Sequence, residues 1–111
     1  MSESSIINDA EELLVFLYKE YLKPDFLYID GEKLKIITKW SSDRLARAIS
    51  HLYNEEFISL EGDKRFFQGF IVRGLLPDGT KTIERPKQFK KHFEHEIDLK
   101  FYKFSWGATE K

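Results

Sequence analysis

Arg47, Ser50 and Asn54 fall in one line if the stretch from Ser42 to Asn54 is helical. That line has a chemistry. Arginine can grip the edge of guanine with two hydrogen bonds, and asparagine can do the same for adenine. Arg44 and His51 lie on the flanks of the same face, where His51 would touch phosphate or water. Asp43 points the same way in the first turn, where a negative charge suits the helix dipole. Lys64 and Arg65 form a basic flank at the turn that begins with Gly62-Asp63. The same polar line also fits the solvated side of an ordinary amphipathic helix.

Other chemistry is weaker in the sequence. His92 and His95 are spaced i, i+3, as a metal pair on a helix would be, but no cysteine and no third clear ligand stands nearby. Gly62-Asp63-Lys64 is a turn, not a phosphate-cradling loop, and neither Ser41 nor Ser42 sits in a Gly-x-Ser-x-Gly context. No carboxylate pair has a spacing that fixes a general acid and base. The aromatics Phe101, Tyr102, Phe104 and Trp106 could stack on bases, though packing explains them as well. The expectation is a chain that is not an enzyme, with no catalytic residues, no cofactor and no metal.

The elements that must position the polar line can be read from periodicity and caps. Leu45, Ile49 and Leu52 recur at steps of four and three, with Ala48 and Tyr53 widening that apolar face. Ser41 or Ser42 supplies an N-cap oxygen. Upstream, Ala10, Leu13, Leu14, Leu17 and Tyr21 predict a first helix broadened by Phe16 and Leu22, capped by Asn8 and stopped at Lys23-Pro24. Phe26 to Ile29 reads as a short strand, and Asp30 as the cap of a second helix from Glu32 to about Lys39. Downstream, residues 57–61 and the long apolar run from Arg65 to Leu76 predict a β-hairpin, with Gly69 and Gly74 marking bulges. Pro77-Asp78-Gly79 opens a short helix, and Pro86 starts another in which Phe89, Phe93 and Ile97 repeat every four residues. From Asp98 to Trp106 the alternation predicts a strand with a bulge near 101–102.

Composition narrows the class. A chain of 111 residues suits one small globular domain, and 15% aromatic residues help to fill its core. With no cysteine, disulfides and thiolate metal sites are excluded. No apolar run reaches membrane-spanning length, and Met-Ser-Glu-Ser-Ser lacks the pattern of a secretory signal, so a cytoplasmic protein without a membrane partner is expected. Net charge is −1, unevenly spread. Residues 1–30 hold seven acidic and two basic residues, whereas the remaining 81 hold twelve acidic and sixteen basic.

The order helix, short strand, helix, helix, strand, turn, strand, helix resembles the winged helix-turn-helix superfamily. The resemblance rests on four segments: Asp30-Gly31-Glu32-Lys33-Leu34, Ser42-Asp43-Arg44-Leu45-Ala46-Arg47-Ala48-Ile49, Leu52-Tyr53-Asn54-Glu55-Glu56-Phe57-Ile58 and Leu75-Leu76-Pro77-Asp78-Gly79. The third is similar to the superfamily's exit from the recognition helix, with Glu56 where a glycine commonly stands. The fourth is similar to the signal that closes many bacterial wings.

The resemblance implies an α+β winged helix-turn-helix domain over residues 8–85, with a three-helix core and a β-hairpin wing. Residues 86–106 add a helix/strand extension, either packed on the domain or forming a dimer interface. It also implies a small DNA-binding transcriptional regulator. Arg44, Arg47, Ser50, His51 and Asn54 would face the major groove of double-stranded DNA, and Lys64 and Arg65 would touch backbone or minor groove from the wing. The alternative is a winged-helix module that binds a protein partner and not DNA. Phe89, Phe93, Ile97, Leu99, Phe101, Phe104 and Trp106 are left over from the central module, and the favoured outlet for them is a homodimer.

Overall fold

The structure, a computed structural model, describes residues 3–62 and 70–106. It is an α+β fold. In chain order the elements are α1 (Glu3–Tyr21), β1 (Ile29–Asp30), α2 (Gly31–Thr38), α3 (Ser42–Asn54), β2 (Ile58–Gly62), β3 (Phe70–Leu75), α4 (Pro77–Glu84) and α5 (Pro86–Phe93). A 3-10 turn follows at Leu99–Phe101. The antiparallel sheet has the order β1-β3-β2. Lys64 and Arg65, expected on a wing, and Gly69, expected at a bulge, lie outside the described residues.

Helix α1 runs through the middle of the molecule. Leu13, Leu14 and Val15 are successive residues, and all three have no exposure. Only a helix covered on every side can bury three neighbours in a row, since consecutive side chains point about 100° apart. The helix begins five residues before Asn8, which is exposed within it rather than its cap. No Pro or Gly interrupts residues 3–8, and Ile6 and Ile7 are half-buried, so the helical path continues upstream. At its other end Tyr21 and Leu22 are exposed instead of extending the apolar face.

The two following helices are set by their caps. The Asp30 carboxylate accepts from the Lys33 N–H at 2.7 Å, and the Ser41 hydroxyl oxygen accepts from the Arg44 N–H at 3.2 Å. The apolar face of α3 is buried at Leu45, Ala48, Ile49 and Leu52, all at zero exposure, but Tyr53, expected to widen it, is exposed. The strand expected at Phe26–Ile29 is confined to Ile29–Asp30, the residues that pair with Val72 and Ile71 of β3, and the Phe26 ring lies edge-on to Tyr21. In the hairpin, Ser59 opposes Gly74 and Leu60 opposes Val72, which leaves Arg73 as the extra residue of a bulge. Gly74 there has φ 153°, a conformation that a side chain disfavours.

Helix α3 ends in a left-handed turn. The Phe57 N–H donates to the Leu52 carbonyl at 2.9 Å, and the Glu56 N–H to the Tyr53 carbonyl at 3.0 Å. Both bonds require the residue after the cap to be left-handed, and Glu56 takes φ 63°. Glycine adopts that conformation without strain, and its arrival would also remove a carboxylate from the negative end of the helix dipole. Glu56→Gly is therefore expected to stabilise the fold by about 0.5–1 kcal/mol, net of the looser unfolded chain. Urea unfolding should show a higher midpoint at unchanged slope. A lower midpoint would count against this turn.

The C-terminal extension corrects two expectations. Helix α5 stops at Phe93 instead of continuing to Ile97, because Glu94 turns left-handed at φ 68°. Residues 98–106 form no strand. Their backbone finds side-chain partners instead of a ladder: the Lys100 N–H donates to Asp98 and the Ser105 N–H to Glu12. Tyr102, Phe104 and Trp106 lie back over α1 of the same chain, where Phe104 and Trp106 meet Phe16 edge-on at 6.1 and 6.0 Å. Phe89, Phe93 and Phe104 are buried, and Ile97, Leu99 and Trp106 are partly so. Of the leftover residues only Phe101 stays open, at 73% exposure, so the apolar excess that motivated a homodimer is covered within one chain.

Candidate nucleic-acid interface

The outward line of α3 survives in a narrower form. Arg47 and Asn54 are exposed and Ser50 is half-buried between them. These are positions i, i+3 and i+7, held on the solvent side by the burial of Leu45, Ile49 and Leu52 opposite. Three exposed carboxylates frame the line, Asp43 at one end and Glu55 and Glu56 at the other.

Arg44 is turned away from this line, towards Asp9 on α1. Its guanidinium forms a two-pronged bond with Asp9, Nε to Oδ2 at 2.8 Å and Nη2 to Oδ1 at 2.9 Å. Its flat face also lies over the Trp40 ring at 4.4 Å from the centroid. The bond to Asp9 pushes the arginine's pKa above its ordinary value, partly opposed by burial. Asp9 is buried on α1, so the pair joins α3 to α1. Removing Arg44 would leave that carboxylate buried without its partner, which is a structural role.

His51 is likewise occupied. Its Nε2 lies 3.0 Å from Nε2 of His92 on α5, one imidazole donating and the other accepting. The Phe57 ring backs His92 at 4.9 Å. Burial lowers the His92 pKa first, the charge of His51 lowers it further, and Glu55 opposes both. His92 therefore favours its neutral form, and the contact ties α5 to the flank of α3.

His92 and His95 are drawn apart by the end of α5. His95 reaches back to Glu11 on α1, which is buried and also accepts from the Tyr102 hydroxyl at 2.7 Å. Bonding to Glu11 raises the His95 pKa, and burial followed by the same carboxylate raises that of Tyr102. Among the described residues no group of three or more His, Cys, Asp or Glu is placed to hold a metal ion.

The sequence reading passed over one cationic feature. Arg85, Lys87, Lys90 and Lys91 occur within seven residues, with no acidic residue from Arg85 to Phe93, and all four are exposed. The absence of alternating charge in that run was its visible signal. No helix among the described residues is long and apolar enough to cross a membrane. Comparisons with family models, with curated proteins and with solved structures return no match for this chain.

Proposed function

We propose that this chain is a winged-helix DNA-binding protein, a small transcriptional regulator that lays α3 in the major groove of duplex DNA. The observation that carries the reading is the exposed line Arg47, Ser50 and Asn54 on a helix that leads directly into the β2–β3 hairpin. The element order and the sheet order β1-β3-β2 support it, since α2 and a short turn precede α3 and the β2–β3 hairpin follows it, an order compatible with a winged helix. Arg44 and His51 serve this interface indirectly, by anchoring α3 to α1 and α5.

Selection of bound duplexes from a random pool, followed by gel shifts, tests the proposal. Arg47→Ala should cost about 1–3 kcal/mol at one base position and relax selectivity there. A wild-type chain that enriches no sequence and shifts no duplex at low salt would overturn it.

A second reading, a protein-interaction module, is favoured by one observation. Asp43, Glu55 and Glu56 surround a single arginine on this face, which leaves it short of the positive charge that duplex binding draws on. Recovery of a stoichiometric protein partner through α3, with blank gel shifts, would decide for that reading.

A further inference from the structure

Positive charge on the described residues is concentrated away from α3. Lys23, Arg44 and Arg73 each hold a carboxylate. Lys81, Arg85, Lys87, Lys90 and Lys91 are all exposed, and none makes an ion pair among the described residues.

Helix geometry gathers these five. On α4 and its cap, Asp78, Lys81, Thr82 and Arg85 stand at i, i+3, i+4 and i+7, one face of the helix. On α5, Gln88, Lys91 and His92 stand at i, i+3 and i+4. Between the two helices Arg85 is extended, at φ −109° and ψ 111°, as the residue before a proline favours. The two polar faces thus become the walls of an open groove of about 540 Å³, with Glu55 and Phe57 at the exit of α3 completing it. Lys87 and Lys90 continue the charge along α5. The His51–His92 contact sets this ridge beside α3, since His51 is four residues after Arg47 and three before Asn54.

Local electrostatics explain only part of the arrangement. Lys90 and Lys91 lie in the last turn of α5, where the dipole favours cations. Arg85 and Lys87 lie at its first turn, where the dipole opposes them, and that turn has no acidic residue. The carboxylates on these elements do not restore balance. Asp78 and Glu84 on α4, Glu55 at the groove and Glu94 beyond α5 stand against five cations, and Glu84 is drawn aside by the Tyr18 hydroxyl, which donates to it at 2.7 Å.

We infer that the α4–α5 ridge grips the phosphate backbone of the duplex beside the stretch that α3 reads. The inference rests on the DNA reading above for the identity of the polyanion. It supplies the sequence-independent attraction that the acidic surroundings of Arg47 lack.

The test compares the full-length wild type, Arg47→Ala and the triple variant Lys87→Gln/Lys90→Gln/Lys91→Gln. Each is titrated against a fluorescent random-sequence duplex and the selected duplex across a salt series. The triple variant should bind both duplexes about tenfold or more weakly, and its plot of log affinity against log salt should flatten by about 2–3. Arg47→Ala should weaken only the selected duplex. If the triple variant fails to fold by circular dichroism, Lys81→Gln/Arg85→Gln on the groove wall should flatten the slope by about 2 instead.

A wild-type slope in a folded ridge variant overturns the inference and leaves the α3 reading standing. Sequence-indifferent binding, lost in the ridge variant but kept in Arg47→Ala, supports the ridge and overturns the α3 reading. A wild-type chain that binds no duplex at low salt overturns both.

Discussion

Gly79→Ala is expected to unseat α4 and destabilise the fold by about 3 kcal/mol or more. A Cβ at position 79 would fall 2.1 Å from the Phe57 carbonyl oxygen, 2.9 Å from its carbon and 3.0 Å from its Cα. All three are backbone atoms, and they are held in place. The Phe57 carbonyl accepts from the Leu76 N–H at 2.9 Å, and the Phe57 N–H closes the left-handed turn at the end of α3. Neither can move without giving up a hydrogen bond beside buried Phe57. Gly74 is a different case. Its added Cβ would meet the Tyr21 ring, which is 42% exposed and can swing away, so the cost there lies in the backbone angle. Urea unfolding of Gly79→Ala measures the effect, with Asp78→Ala as an exposed neighbour expected to stay within about 0.5 kcal/mol of wild type. Stability of Gly79→Ala within about 1 kcal/mol of wild type would contradict this seating of α4. The contact also bears on the proposed interface. It fixes Lys81 and Arg85 relative to the exit of α3, so a folded but displaced variant would lose the groove between them.

Local signals made the helices around the candidate interface legible. Asp30 and Ser41 cap α2 and α3 through their own side chains, and the i, i+4, i+7 spacing of Leu45, Ile49 and Leu52 needs no distant partner to be recognised. The glycine of Leu75-Leu76-Pro77-Asp78-Gly79 was visible too, though its reason, a backbone carbonyl in close approach, is tertiary. Tertiary pairing also decided what the flank residues do. Arg44 finds Asp9 across 35 residues and His51 finds His92 across 41, and no spacing within α3 could announce either. The tail misled for a related reason. Alternating large residues from Leu99 to Trp106 look like a strand, yet alternation reports only that some apolar surface must be covered. Here the surface is a helix, and the side chains of Asp98 and Glu12 satisfy backbone groups that a sheet edge would otherwise have taken. The start of α1 was lost because Asn8 is a good cap residue by type but sits inside a helix that nothing upstream interrupts.

A chain ending at Arg85 is expected to lose its cooperative fold. The deleted residues are structural members of the core, since Phe89, Phe93 and Phe104 are at most 8% exposed. They help to enclose α1, whose Leu13-Leu14-Val15 run needs cover on every side. Phe104 and Trp106 lean on Phe16, Trp106 also meets Trp40 at 5.4 Å, and Tyr102 and Ser105 bond to Glu11 and Glu12. Removing one buried Phe side chain typically costs about 3–5 kcal/mol. Three such losses together are comparable with the whole stability of a small domain, about 5–15 kcal/mol. Circular dichroism should therefore show a broad, non-cooperative melt for the truncated chain, with binding of a hydrophobic dye and growth of light scattering at micromolar concentration. The intact chain should give one sharp transition. A sharp transition in the truncated chain would mean that residues 8–85 hold together unaided. Tyr102, Phe104 and Trp106 would then be a separable cover on α1, and the apolar face around Phe16 that they leave would again be a surface on which a second copy could dock.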